Sequence, residues 1–189
     1  MNMLRCCVLA TFLAGGLPAA AGPPVDDALR AELLQMRDED QAVRNLALQT
    51  QEEIEKLQAV DDRNTARLKQ IVATHGWPTI SLVGEDAARA AWLLAQHADH
   101  DRAFQREVLA LMAPAVDAGE AVAMDHAYLW DRINAPQRFG TQGRCVGPGE
   151  WAPLEIESPE GVDDRRAMVG LPPLQEYIAL VSGLCPASD

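Results

Sequence analysis

Three observations predict an all-α or mostly α fold. Ala and Leu dominate the chain while aromatics make up only 5%, a balance that favours helix over sheet. Apolar residues recur at helical spacing from Val25 to Ile133. From Ala135 to Gly161 Pro and Gly are dense enough to exclude a long helix. The expected architecture is a set of antiparallel helical hairpins followed by an irregular C-terminal section with room for a short β-hairpin.

Pro23 and Pro24 mark the entry to the first helix, along which Leu29, Leu33, Met36, Val43 and Leu46 roughly follow a helical spacing. A second helical stretch, Glu52 to Thr74, carries Ile54, Leu57, Leu68, Ile71 and Val72. Within it Asp61-Asp62-Arg63-Asn64 reads as a polar break or kink between two shorter helices. Gly76 ends the stretch as a left-handed cap, Pro78 enforces the stop, and Trp77 is expected in the core. Thr79 to Val83 reads as an extended link. Gly84 and Glu85 open a helix expected to reach about His100, with Ala87, Ala88, Ala91, Leu94 and Ala98 on its apolar face. The next carries Phe104, Val108, Leu111 and Met112 to about Ala118, and Gly119 separates it from a helix over Glu120 to Ile133. In the irregular section Leu154-Glu155-Ile156 is expected to pair as a strand with Thr141 to Cys145. Val162 to Met168 and Leu174 to Val181 read as two short closing helices.

At 189 residues and a net charge of -12, the chain is long enough for one domain, expected over residues 22–189. The negative charge argues against a nucleic-acid partner, which needs a basic stripe, and against docking on anionic lipid. Residues 1–21 read as a signal peptide: Arg5 supplies the charge, Cys6 to Leu17 the apolar core, and Ala19 and Ala21 the small residues before cleavage at Gly22. That apolar run falls short of the roughly 20 residues a bilayer span needs. The mature chain is therefore expected to be periplasmic or secreted, with no stable membrane insertion. Cys6 and Cys7 leave with the signal, and Cys145 and Cys185 are expected to form a disulfide in an oxidising compartment.

The densest polar cluster is Gln96-His97-Ala98-Asp99-His100-Asp101. On a continuous helix His97 and Asp101 share a face. Imidazole beside carboxylate suits a general acid/base, with His97 oriented by Asp99 or Asp101, and it also suits a divalent metal. No HExxH or CxxC pattern accompanies it, so no metal site is assigned. The competing reading is a solvated polar helix end. Asp40 and Arg44 stand one turn apart as an ion pair, or, turned inward with Gln41, as ligand-binding groups. Phe139-Gly140-Thr141-Gln142 presents polar side chains in a loop where Gly140 permits close backbone approach. No GxSxG, Walker or GxGxxG pattern is present, and no cofactor is indicated.

These motifs occur in a fixed order: Asp40-Gln41 with Arg44, Gly76-Trp77-Pro78, Val83-Gly84, Gln96-His97-Ala98-Asp99 with Phe104-Gln105, Asp131-Arg132, Gly140-Thr141-Gln142, and Asp164-Arg165-Arg166 before Gly170-Leu171 and Pro173-Leu174. Together they resemble an uncharacterised, often exported bacterial domain family with DQxxR, GWP, QHAD and YGTQ signatures; Phe139 stands here where that family has Tyr. The resemblance spans roughly Leu33 to Tyr177 and implies a shared site without implying a reaction. It implies that Asp40, Gln41, Arg44, Gln96, His97, Asp99 and Gln142 line one cleft. Three functions follow as expectations. The first is a protein binding a polar small molecule or a protein partner there. The second is a hydrolase or lyase using His97, with Arg44 holding an anionic group. The third is a helical scaffold whose polar signatures fix helix register.

Overall fold

A computed structural model describes residues 25–45 and 50–186. The expected signal segment, residues 1–21, and Leu46 lie outside them. Helix α1 spans Asp27–Arg44 and starts where the Asp26 carboxylate accepts the Leu29 N–H at 2.9 Å. Helix α2 spans Gln51–His75 and opens on a capping box, Thr50 accepting from the Glu53 N–H and Glu53 from the Thr50 N–H. It ends at Gly76, whose φ of +73° suits glycine. The expected break at Asp61 to Asn64 is not there: α2 runs through it. Three of those polar residues face α1, where Asp61 meets Arg44, Arg63 meets Glu39, and the buried Asn64 amide reaches the Met36 carbonyl.

The expected extended link is instead a helical turn, α3 (Ile80–Val83). Glu120 stabilises it from a distance, its carbonyl accepting the Ile80 N–H and its carboxylate the Ser81 N–H. Helix α4 (Glu85–Gln96) follows. It packs against α1, α2 and α3, and against α5 (Arg102–Asp117) and α6 (Ala123–Ile133). Its Ala87, Ala88, Ala90, Ala91 and Ala95 are buried, so small side chains let several neighbours approach one helix. Leu33, Leu68, Ile71, Val83, Leu94, Phe104, Val108 and Leu129 complete the core, and Trp77 is buried within it as expected.

Beyond α6 the irregular section holds the short hairpin, β1 (Gly143–Gly147) and β2 (Glu150–Pro153), antiparallel with Cys145 opposite Trp151. The second strand thus precedes the expected Leu154-Glu155-Ile156, although Ile156 bridges Gln137 and the Leu154 N–H bonds the Gln142 carbonyl. Helices α7 (Val162–Met168) and α8 (Leu174–Ser182) close the described chain. The Cys145–Cys185 disulfide ties the end of α8 to β1. Among the described residues no helix is long and apolar enough to cross a membrane.

Candidate functional site

The site forms where α4 ends. The expected continuation to His100 does not occur: the helix stops at Gln96, and His97 is its C-cap. The cause is a side chain on the next helix. Gln105 is fully buried, and its Nε2 donates to the Ala95 and Gln96 carbonyls at 3.1 and 3.2 Å. These are among the acceptors a helix C-terminus leaves unpaired. Asp101 then begins α5, accepting the Phe104 N–H at 3.0 Å.

Ending there turns His97 toward α1. Its Nδ1 lies 3.0 Å from both carboxylate oxygens of Asp40. Asp40 is wholly buried and also meets Arg44 Nη1 at 3.0 Å and Gln41 Nε2 at 2.8 Å. Arg44 is shared with Asp61, at 2.8 Å. A carboxylate held in this way keeps a hydrogen on Nδ1 and fixes the ring's orientation. Nε2 has no hydrogen-bond partner among the described residues. The carboxylate that orients His97 is therefore Asp40, 57 positions away, rather than Asp99 or Asp101.

His97 lines a hollow of about 300 Å³ with Asp61, Asp62, Asp99, His100 and Gln58. Burial pushes the Asp61 carboxyl above its usual range, Arg44 only partly offsetting it. A second hollow of about 530 Å³ lies on the other side of Asp99, between α5, α6 and the start of β1, and contains Gln142. The two meet at the Asp99 carboxylate. Arg132 clamps that carboxylate through Nε (2.9 Å) and Nη2, and its Nη1 donates to Gln142 Oε1 at 3.1 Å. Burial raises the Asp99 carboxyl, but Arg132, with Gln105 and Arg102, outweighs it and leaves it below the usual range.

Gln142 is placed by a loop wound around Asp131. That buried carboxylate accepts from the Arg138, Phe139 and Thr141 N–H groups and from the Thr141 hydroxyl. Arg166 holds the same loop from behind. It is fully buried, donates to the Phe139 carbonyl at 2.5 Å and to the Pro172 carbonyl at 2.6 Å, and lies over the Tyr177 ring. Burial lowers its pKa, the nearby Tyr128 and Tyr177 opposing that shift. Tyr177, itself pushed up by burial, donates its hydroxyl to the Thr141 carbonyl.

The predicted residues thus separate into groups. Asp40, Gln41, Arg44 and His97 form one cluster, and Asp99 links it to Gln142. Gln96 is buried with its amide oxygen unpartnered and lines neither hollow. Asp101 points to Lys69, 2.8 Å away, whose ammonium, with the Phe104 N–H, holds its carboxyl below the usual range. The anion-binding role expected of Arg44 meets two carboxylates already in place, Asp40 and Asp61. Gln105 was marked only as part of the Phe104-Gln105 motif, without a role, and Arg102 and Arg106 were not anticipated. Two arginines one turn apart, with no acid three or four residues from Arg106, were a readable signal. Among the described residues no group of three or more His, Cys, Asp or Glu side chains is placed to hold a metal.

No curated protein and no solved structure matches the chain. Residues 27–185 match the Family of unknown function (DUF6624), a span that takes in every element from α1 to the disulfide, and the chain belongs to that family.

Proposed function

We propose that this is an exported protein that binds a polar small ligand at the hollow in front of His97. The observation that carries the reading is the Asp40–His97 pair: a buried carboxylate fixes the imidazole of a residue that lines the hollow and leaves its Nε2 unpartnered among the described residues. A side chain held by its back edge presents its other nitrogen at little entropic cost on binding. Asp61, Asp62 and Gln58 supply further polar contacts around it. The Cys145–Cys185 disulfide suits an oxidising compartment outside the cytoplasm.

The same pair favours a second reading, in which His97 acts as a general acid/base in a hydrolase or lyase. Asp40 would play the orienting role a carboxylate plays behind a catalytic imidazole.

A thermal-shift screen of the purified protein against amino acids, sugars, peptidoglycan fragments and divalent metals, beside His97→Ala, tests the first reading. A ligand at a hundred times its dissociation constant raises stability by about 2.7 kcal/mol. A response lost in a folded His97→Ala variant supports the site. A response unchanged in that variant overturns it. Turnover of the bound compound, lost in Asp40→Asn, moves the assignment to the catalytic reading.

A further inference from the structure

We propose that the second hollow, between α5, α6 and β1, is a site for a small anion whose charge lies on carboxylate or phosphate oxygens. The inference does not rest on ligand binding at His97. The hollow measures about 530 Å³ and is lined by Arg102, Arg106 and Arg132, in a chain whose net charge is -12. Two carboxylates also reach it, and neither cancels this charge fully. Asp131 is buried and committed to the N–H groups of its own loop. Asp99 is clamped by Arg132 and lies 3.8 Å from Arg102.

Arg106 is the decisive group. It is exposed, it lines the hollow, and among the described residues it has neither an ion-pair nor a hydrogen-bond partner. It stands one turn from Arg102 on the same face of α5, a like-charge spacing that slightly disfavours the helix. Arg102 is held in place by donating Nη1 to the Arg132 carbonyl at 2.8 Å and to Gln105 Oε1 at 3.1 Å. A fixed guanidinium beside an unpartnered one suits an anion with two oxygens, which both can reach in a forked geometry. Ile133 and the half-exposed Leu154 give the carbon part of such a ligand an apolar wall.

The test titrates the purified protein with inorganic phosphate and, separately, with succinate, against chloride at matched ionic strength, followed by calorimetry. The same titrations are run on Arg106→Gln and on His97→Ala. Saturable binding of either anion above the chloride control is expected, and the stronger of the two identifies phosphate or carboxylate as the preferred chemistry. Arg106→Gln is expected to weaken it about ten- to a hundredfold, the loss of one charge-assisted contact. Because Arg106 holds nothing else in place, that variant should melt like the parent, so the loss reads as binding. His97→Ala is expected to leave anion binding unchanged. No binding above chloride overturns the proposal. So does binding that Arg106→Gln leaves intact, or binding abolished by His97→Ala alone.

Discussion

Replacing Asp131 by Asn tests what places Gln142. Asp131 is 3% exposed, and its carboxylate receives four donors: the Arg138 N–H at 2.8 Å, the Phe139 N–H at 3.2 Å, the Thr141 N–H at 2.9 Å and the Thr141 hydroxyl at 2.9 Å. Asparagine keeps the shape but turns one of the two oxygens into an NH2 group. With Oδ1 replaced, the Arg138 N–H faces another donor while the Phe139 N–H keeps Oδ2 at 3.3 Å; with Oδ2 replaced, the Thr141 N–H does, while its hydroxyl can turn to accept. A hydrogen bond to a charged group contributes about 1.5–3 kcal/mol, and a buried donor left unpaired costs about 1–3 kcal/mol. One stranded donor together with the weakening of the remaining charge-assisted bonds gives an expected loss of about 2–4 kcal/mol. That is a large part of the roughly 5–15 kcal/mol of a typical domain, yet compatible with a folded protein at low temperature. Urea denaturation followed by far-UV circular dichroism measures it, with an unchanged slope confirming that stability alone has moved. Thr141→Val removes only the hydroxyl and its bond to the carboxylate, and should cost about 1.5–3 kcal/mol. Amide exchange at Arg138, Phe139 and Thr141 should rise in Asp131→Asn before that at the core of α4 does. A loss under about 1 kcal/mol, with those amides still protected, would refute the reasoning: the loop would be held by the Arg166 and Tyr177 contacts instead.

Four other outcomes are expected. Asp40→Asn should remove any response that needs His97, and should destabilise by about 2 kcal/mol or more, since it breaks a buried charged cluster in which Arg44 keeps only Asp61; a parent-like melt with an unchanged ligand response would show that the pair orients nothing. Reducing the Cys145–Cys185 disulfide, which spans 40 positions, should lower stability by about 2–4 kcal/mol. Helix α8 has no fully buried residue of its own, so its amides should lose protection first, and equal protection before and after reduction would contradict this. Asp99, with its folded pKa lowered, contributes stability that is present above the ordinary carboxylate range and is lost as pH falls through the folded value. The deficit of Asp99→Asn relative to the parent should thus be flat near neutrality and shrink in acid, and a deficit constant to low pH would sink the assignment. Asp61 has the opposite sign: its raised pKa makes the parent gain stability as pH falls through it, a gain that Asp61→Asn should lack.

Which features could be read in advance depended on how far away their causes lie. The core stripe of α1, the alanine face of α4 and the left-handed Gly76 follow from neighbours within a turn, and each was readable. The helical turn at Ile80–Val83 was not, because its β-branched residues favour extension and its stabilising partner is Glu120. Asp61 to Asn64 looked like a break because four polar residues in a row have no local reason to stay helical; α1 provides the reason. The site shows the same limit. Chemistry identified His97, but a search for its carboxylate among neighbours three or four positions away could not find Asp40. The GTQ loop was recognised as polar and glycine-bearing, while nothing in the neighbouring sequence marks Asp131 and Arg166, which shape it, as buried.

Gln105 links these observations, because the place where α4 stops decides where His97 points. If the helix ran on to His100, Asp99 and His100 would ride on its face, and the turn that presents Asp99 to Arg132 could not form. Gln105→Leu keeps the volume and removes the donor to the Ala95 and Gln96 carbonyls. Ala95 retains the Ala98 N–H, so one carbonyl is left short, and the expected cost is about 1–3 kcal/mol. Gln105→Glu should cost more at neutral pH, since a carboxylate would face those same carbonyls and lie beside Asp99. Protonation turns that carboxyl into a donor, so the gap between the Glu and Leu variants should narrow as pH falls. Arg102, which now donates to Gln105 Oε1, opposes the effect by favouring the charged form, but it is half exposed and also engaged by the Arg132 carbonyl. Imidazole resonances of His97 provide the positional readout, and they should shift in both variants. A Glu variant as stable as Leu at neutral pH, with His97 unmoved, would mean that Gln105 follows the end of α4 rather than setting it.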